Sequence, residues 1–298
     1  MISFENNKEL YQFNDKKYLK SLEYAKNLKP YKSIDKLNFN LYWRVPRNFE
    51  RKQLLPIKSL IANHEEFNSS NYNINLWSNI DLSKNELLKP FSKYITHKIW
   101  NPIQELKDTP LEDYQEYFKS IIIDDDRCYL GGDFFRLLCL FKYGGFYIDM
   151  DMCILRDLSP LNNYQFIYQW GSSGTIPSEP NIFYNGAIMR LNKTSRTAYK
   201  FIELLTKIQP IPNSFCWGQK LYSHVKDKDL KIFPCAWFNT EWGLNPIYPM
   251  SKNGDTNLYD GAFTWHWHNN WDTIIEDGSK FDILEKIIDD KLKIFKLI

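Results

Sequence analysis

The sequence of 298 residues is poor in cysteine, balanced in charge and without a long apolar run, and each shortage excludes something. Its five cysteines (Cys128, Cys139, Cys153, Cys216 and Cys235) are odd in number and widely spaced, and no two form a CxxC pair. A structural zinc site is therefore not expected, and the usage suits a reducing compartment. Lys and Arg number 38 against 36 Asp and Glu. A dedicated nucleic-acid binder carries a basic excess or a basic stripe, so no nucleic acid is expected as a partner. No stretch approaches the roughly 18 apolar residues of a membrane-spanning helix, so no transmembrane segment is expected. The opening MISFENNKELYQF has acids and amides where a signal peptide needs an apolar core. These absences lead us to expect a soluble, cytoplasmic protein. Alanine is scarce beside Asn, Lys and Ile, which suits an AT-rich genome better than any physical demand. Repeats and Gly/Ser linkers are also missing, which favours one continuous domain.

Large flat side chains are plentiful. Phe, Trp and Tyr make up 16% of the chain, enough either for a core of bulky residues or for a platform on which sugars or bases stack. Leu22, Ala25 and Leu28 keep near-helical spacing in a lysine-rich segment over residues 5–35. The pattern changes at residue 37. Residues 38–43 and 73–78 alternate as strands do, and residues 50–63 between them read as a helix. Strand, helix, strand opens a parallel α/β sheet. Residues 83–120 read as helical stretches broken at Pro90, Pro102 and Pro110. Further strands are expected over 165–170, 182–191, 232–237 and 262–266, and further helices over 194–208 and 279–297.

Residues 131–155 carry the chemistry. Phe134, Leu137, Leu138 and Phe141 fall at i, i+3, i+4 and i+7, which is helical, with Asp133 as a cap at its start. Gly144-Gly145 can stop that helix, because glycine accepts the left-handed conformation. Phe146 to Leu155 then reads as a buried strand interrupted by Asp149 and Asp151. Two carboxylates in an apolar strand are costly unless their charge is offset. Two apart in an extended chain they point the same way, and a divalent cation is the natural partner. Oxygen ligands favour magnesium or manganese. Asp133 and Arg136 share one helix face, and the Arg could form a fork with phosphate oxygens. A rival acidic cluster, Asp124-Asp125-Asp126, follows an isoleucine run.

The run Asp133-Phe-Phe-Arg136, then Tyr143-Gly144-Gly145-Phe-Tyr147-Ile-Asp149-Met-Asp151, resembles the signature of the D-x-D sugar transferases. That family includes the yeast Golgi initiating α-mannosyltransferase, bacterial capsular sugar transferases and the catalytic domains of the large clostridial glucosylating toxins. Leu41-Tyr42-Trp43 is similar to the family's first strand and Asn75-Leu76-Trp77-Ser78-Asn79 to its second. Asn185-Gly186-Ala187 is similar to its mid-chain Asn motif. The segment Trp265 to Trp271 (WHWHNNW) is similar to its closing H-H-x-x-G-S-W. The chain departs from the pattern at Gly132, where Ser is usual, at Trp265 and His266, where two His are usual, and at Asn270, where Ser is usual.

The resemblance implies an α/β fold of the GT-A type, with a mixed, mainly parallel sheet flanked by helices and helical additions at both ends. It suggests an N-terminal helical extension over 1–36, the transferase domain over 37–278 and a closing helix over 279–298. It implies metal-dependent glycosyl transfer from a UDP- or GDP-sugar to a glycan or protein acceptor, with retention of configuration. Asp149 and Asp151 would hold Mn2+ or Mg2+ and the donor diphosphate, with His266, His268 or Asn270 completing the shell. Asp133 and Arg136 would bind the donor sugar or phosphate, and Asn185 would face the sugar or acceptor. Trp43 would stack on the base, and Trp271 would close over the leaving group. The alternatives are a sugar- or nucleotide-binding relative without turnover, and a metal-dependent phosphohydrolase built on Asp124–Asp126.

Overall fold

A computed structural model of the chain describes residues 16–29, 36–44, 48–65, 72–123, 129–171, 182–208, 210–211, 217–241 and 248–296. In chain order, α1 (Lys16–Lys26) leads to β1 (Leu37–Trp43), α2 (Arg51–Glu65) and β2 (Tyr72–Ser78). Then come β3 (Ile95–Ile99), α3 (Pro102–Leu106), α4 (Gln115–Ile123) and α5 (Tyr129–Tyr143). They are followed by β4 (Gly145–Ile148), β5 (Met152–Ile154), β6 (Gln165–Gly171) and β7 (Ile182–Leu191). The described chain closes with α6 (Arg196–Lys207), α7 (Trp217–Lys220), β8 (Leu230–Phe233), β9 (Thr264–His266) and α8 (Lys280–Ile294).

Seven strands form one sheet in the order β3-β2-β1-β4-β7-β6-β8. Among the described strands of this sheet, only β7 runs against the rest. It pairs antiparallel with both β4 and β6, while the other pairings are parallel. The result is a mixed, mainly parallel sheet flanked by helices, as expected. Burial explains the reading of the strands. In β1 and β2 all but the second residue is buried, as a strand covered on both faces requires. Alternation then sorts side chains between two cores. Phe39, Leu41, Phe146 and Ile148 face the core shared with α1, α2 and α8. Tyr42 and Tyr147 face the core shared with α5 and α6. The two sides of β4 are therefore fixed before its functional end is reached.

Three expectations need correction. The stretch 83–120 holds a strand, β3, paired with β2 from Ile74↔Ile95 to Ser78↔Ile99. Its burial is patchy, as at the edge of a sheet, so its apolar pattern is weak. Residues 146–155 are not one strand. They split into β4 and β5, and β5 leaves the main sheet to pair antiparallel with β9 as a second, two-stranded sheet. Residues 232–237 likewise give a short β8 followed by a 3-10 turn over Cys235–Trp237.

Candidate active site

Helix α5 supplies the first two residues. It begins at Tyr129, so Asp133 lies inside the helix and does not cap it, contrary to expectation. The i, i+3 spacing does hold: Arg136 Nη1 lies 3.1 Å from Asp133 Oδ1. The helix ends because Gly144 and Gly145 take φ of +68° and +87°. At Gly145 no side chain fits at all, since a Cβ would stand 2.5 Å from the carbonyl oxygen of Asn38 on β1. This close approach sets β4 beside β1 and so fixes where its end falls.

Beyond β4 the alternation puts Asp149 on the same face as Tyr147, toward α5. The Asp149 backbone N–H donates to Ala187 O on β7 at 2.7 Å. Its carboxylate accepts from Arg136 Nη2 at 2.9 and 3.0 Å and from the Tyr147 hydroxyl. Burial pushes the Asp149 carboxyl up, and the Arg136 charge opposes that rise. Arg136 is itself only 8% exposed. It lies over the Tyr147 ring, and its Nη1 donates to the Tyr222 hydroxyl at 3.1 Å. Its buried Nε has no partner among the described residues.

The chain turns at Asp149-Met150-Asp151 and is not extended there, with Met152 N–H donating to Asp149 O at 3.2 Å. The two aspartates converge through this turn rather than through strand alternation. Pairing of β5 with β9 sets His266 opposite Met152. His266 Nε2 then lies 3.1 Å from Asp151 Oδ2, and the Asn269 N–H donates to the same oxygen at 2.9 Å. Burial raises the Asp151 carboxyl, but His266, the Asn269 N–H and His268 outweigh it and hold it down at about 2. Asp149, Asp151 and His266 each offer a ligand atom, all within 4.8 Å of one another. His266 Nδ1 is buried without a partner among the described residues.

These groups line a cleft of about 210 Å³ together with Asp133, Arg136, Asn185 and His268. Asn185 uses Oδ1 to accept from the Ala187 N–H at 2.6 Å, and its buried Nδ2 has no partner among the described residues. His268 stacks on His266 with centroids 4.0 Å apart, and burial lowers its pKa well below the ordinary histidine value. The Asn270 side chain is taken up by the carbonyls of Trp267 and His268. Of the two histidines among the candidates for the last ligand, His266 is the one grouped with both aspartates. Trp43 stands outside the cleft lining, buried at the end of β1 with its ring 4.9 Å from that of Trp271. Asp124–Asp126 lie outside the described residues.

Residues 50–167 match the family model described as "Glycosyltransferase sugar-binding region containing DXD motif". The match contains Asp133, Arg136, Asp149 and Asp151, while His266 and Asn185 lie beyond it. No curated protein matches the chain in sequence. Among solved structures the chain is similar to PaToxG glycosyltransferase at 18% identity and a TM-score of 0.45, covering 70% of this chain and 76% of that one. It is similar to an active-site mutant of LgtC at 13% and 0.47, covering 84% and 96%. It is also similar to GlyE of Streptococcus pneumoniae TIGR4 at 11% and 0.49, covering 88% and 64%.

The cleft also contains residues without an expected role. Trp170, next to the last residue of β6, stands edge-on to His266 and His268, with centroids 6.3 and 5.8 Å away. Phe183, Tyr184 and Trp217 line another wall, and Tyr222 reaches Arg136. Among these, Trp170, Phe183 and Tyr184 carried a signal in the sequence only as members of expected strands. Behind β9, Trp265 Nε1 donates to Glu241 Oε2 at 3.0 Å, and Glu241 pairs with Lys280 at the start of α8. Both members of that pair are buried. Among the described residues no helix is long and apolar enough to cross a membrane.

Proposed function

We propose that this glycosyltransferase moves a sugar from a UDP- or GDP-sugar to a glycan or protein acceptor, with a divalent metal and with retention of configuration. The observation that carries the proposal is the convergence of Asp149, Asp151 and His266 in a cleft that Asp133 and Arg136 also line, with Arg136 bonded to Asp149. The two carboxylates suit Mn2+ or Mg2+, with the His266 imidazole placed to complete the ligand set. A cation there would offset charge on the departing diphosphate.

The protein's own groups do the rest. Asp151 stays ionised because its partners favour the charged form. Arg136 is held by Asp133, Asp149 and Tyr222, so its guanidinium is already oriented when an anionic donor arrives. Asn185 Nδ2 is a buried donor without a described protein acceptor, fit for a sugar hydroxyl. We assign no nucleophile. Trp43 would stack on the base and Trp271 would close over the leaving group, and the transferase domain is proposed to run over 37–278 between a helical extension and α8. The two alternatives are not favoured, since residues 50–167 match a sugar-binding region of glycosyltransferases containing a DXD motif.

The test is a donor screen. Purified protein with Mn2+ is incubated with a panel of UDP- and GDP-sugars, and nucleotide release is followed with and without EDTA. Release from one donor, lost in EDTA and in Asp149→Asn/Asp151→Asn, is the expected result. Binding of a donor without release, with or without acceptor, would leave a binding protein in place of an enzyme.

A further inference from the structure

Lys52 breaks a local rule. It is the second residue of α2, which carries no acid in its first turn. The amide dipoles make a helix N-terminus an unfavourable place for a cation. Its neighbour Arg51 is accounted for, because its Nε donates to Glu285 on α8 at 2.5 Å. Lys52 is only 9% exposed, and burial lowers its pKa, with Asp272 and Glu50 opposing that fall only in part. Rules broken without local gain point to a gain elsewhere.

The gain is in the loop after β9. The Lys52 ammonium donates to the backbone carbonyls of Asn270 and Trp271, each at 2.6 Å, and to that of Thr273. An ammonium has three donors, and here all three end on one short loop. The loop needs holding. His268 and Asn269 both take positive φ, +53° and +54°, a conformation that residues other than glycine adopt at a cost. Yet this loop delivers the Asn269 N–H to Asp151 Oδ2 and fixes Trp271 against Trp43 and Trp267.

We infer that Lys52 is a positioning residue: it clamps the 267–273 loop in the strained form that orients Asp151 for cation binding and seats Trp271 against Trp43. The inference rests on the proposed metal-binding reading only for its effect on affinity. The clamp itself is a statement about the loop.

The experiment compares wild type, Lys52→Met and Lys52→Arg in the full chain, by amide hydrogen exchange and by Mn2+ titration followed calorimetrically. Lys52→Met should speed exchange over 267–273 by about tenfold or more while the sheet strands keep their protection. It should weaken Mn2+ binding by about tenfold, the lower end for loss of an outer partner. Lys52→Arg keeps the charge and should recover most of both. Unchanged exchange in the loop would overturn the inference. So would faster exchange spread evenly through the chain, because that marks a general loss of stability and not a clamp. Loop exchange that responds as expected in a protein that neither binds Mn2+ nor releases nucleotide would sink the proposed function and leave the clamp standing.

Discussion

One nitrogen of Arg136, Nη2, lies 2.9 and 3.0 Å from the two carboxylate oxygens of Asp149, tying the middle of α5 to the end of β4. The same aspartate belongs to the group that can hold a cation. Donor recognition and metal binding, as proposed, therefore share a side chain, and changes at either residue should be felt by both.

Arg136→Ala would leave Asp133 and Asp149 without their shared cation. The free energy of unfolding should fall by about 3 kcal/mol, the low end for breaking a buried pair, because Asp149 keeps some exposure. Arg136→Lys should recover little of it, since a point-like ammonium cannot meet Asp133, Asp149 and Tyr222 together. Urea titration of the three proteins measures both effects.

Metal binding should appear as stability. With free Mn2+ at about a hundred times its dissociation constant, the native state should gain about 2.7 kcal/mol. EDTA should reverse the gain, and Asp151→Asn should abolish it. A wild-type melting temperature indifferent to Mn2+ and EDTA would remove the metal from the proposed mechanism.

Gly145→Ala should cost more than about 1 kcal/mol. The residue sits at φ +87°, and the new methyl would press on Asn38 O, a backbone atom that cannot swing away. Gly132→Ala, with open space around its Cβ position, is the control and should be nearly neutral or slightly stabilising. Equal losses in the two would mean that the approach of β4 to β1 is looser than described.

The Glu241–Lys280 pair should behave as a buried ion pair beneath β9. Lys280→Met alone should destabilise by about 3–5 kcal/mol, because Glu241 is left charged and enclosed. Adding Glu241→Gln removes that charge and keeps an acceptor for Trp265, so the double variant should recover most of the loss. A double variant no better than the single would show that the lysine acts by packing over Tyr259 and Trp265.

The sheet was largely legible because its central strands are buried on both sides and their alternation is strong. The helix–Gly-Gly–strand unit was legible for the same reason, and with it came Asp133, Arg136, Asp149 and Asp151. Long-range pairing was not legible. β3 is an edge strand with mixed burial, so its residues read as part of a helical stretch. Residues 146–155 looked like one strand because every apolar residue from Phe146 to Ile154 is buried, though the chain turns between the aspartates and changes sheets. Tyr222 carries no local pattern that marks it, and Trp170 is marked only as the end of a strand, so the folded chain alone brings them to the cleft. Asp133 looked like a cap because the apolar spacing begins with Phe134, while the helix starts a turn earlier, at Tyr129.

The pairing of β5 with β9 has a consequence for biosynthesis. Asp151 is ready early, but the N–H that it accepts comes from Asn269, 118 residues later, and His266 arrives with the same segment. A ribosome-bound chain that has extruded the whole D-x-D region still lacks its imidazole and its loop. Closing so long a loop is slow compared with forming the neighbouring hairpin and helix contacts. The Asp149–Asp151–His266 group thus cannot be complete until the segment that carries His266 has been made.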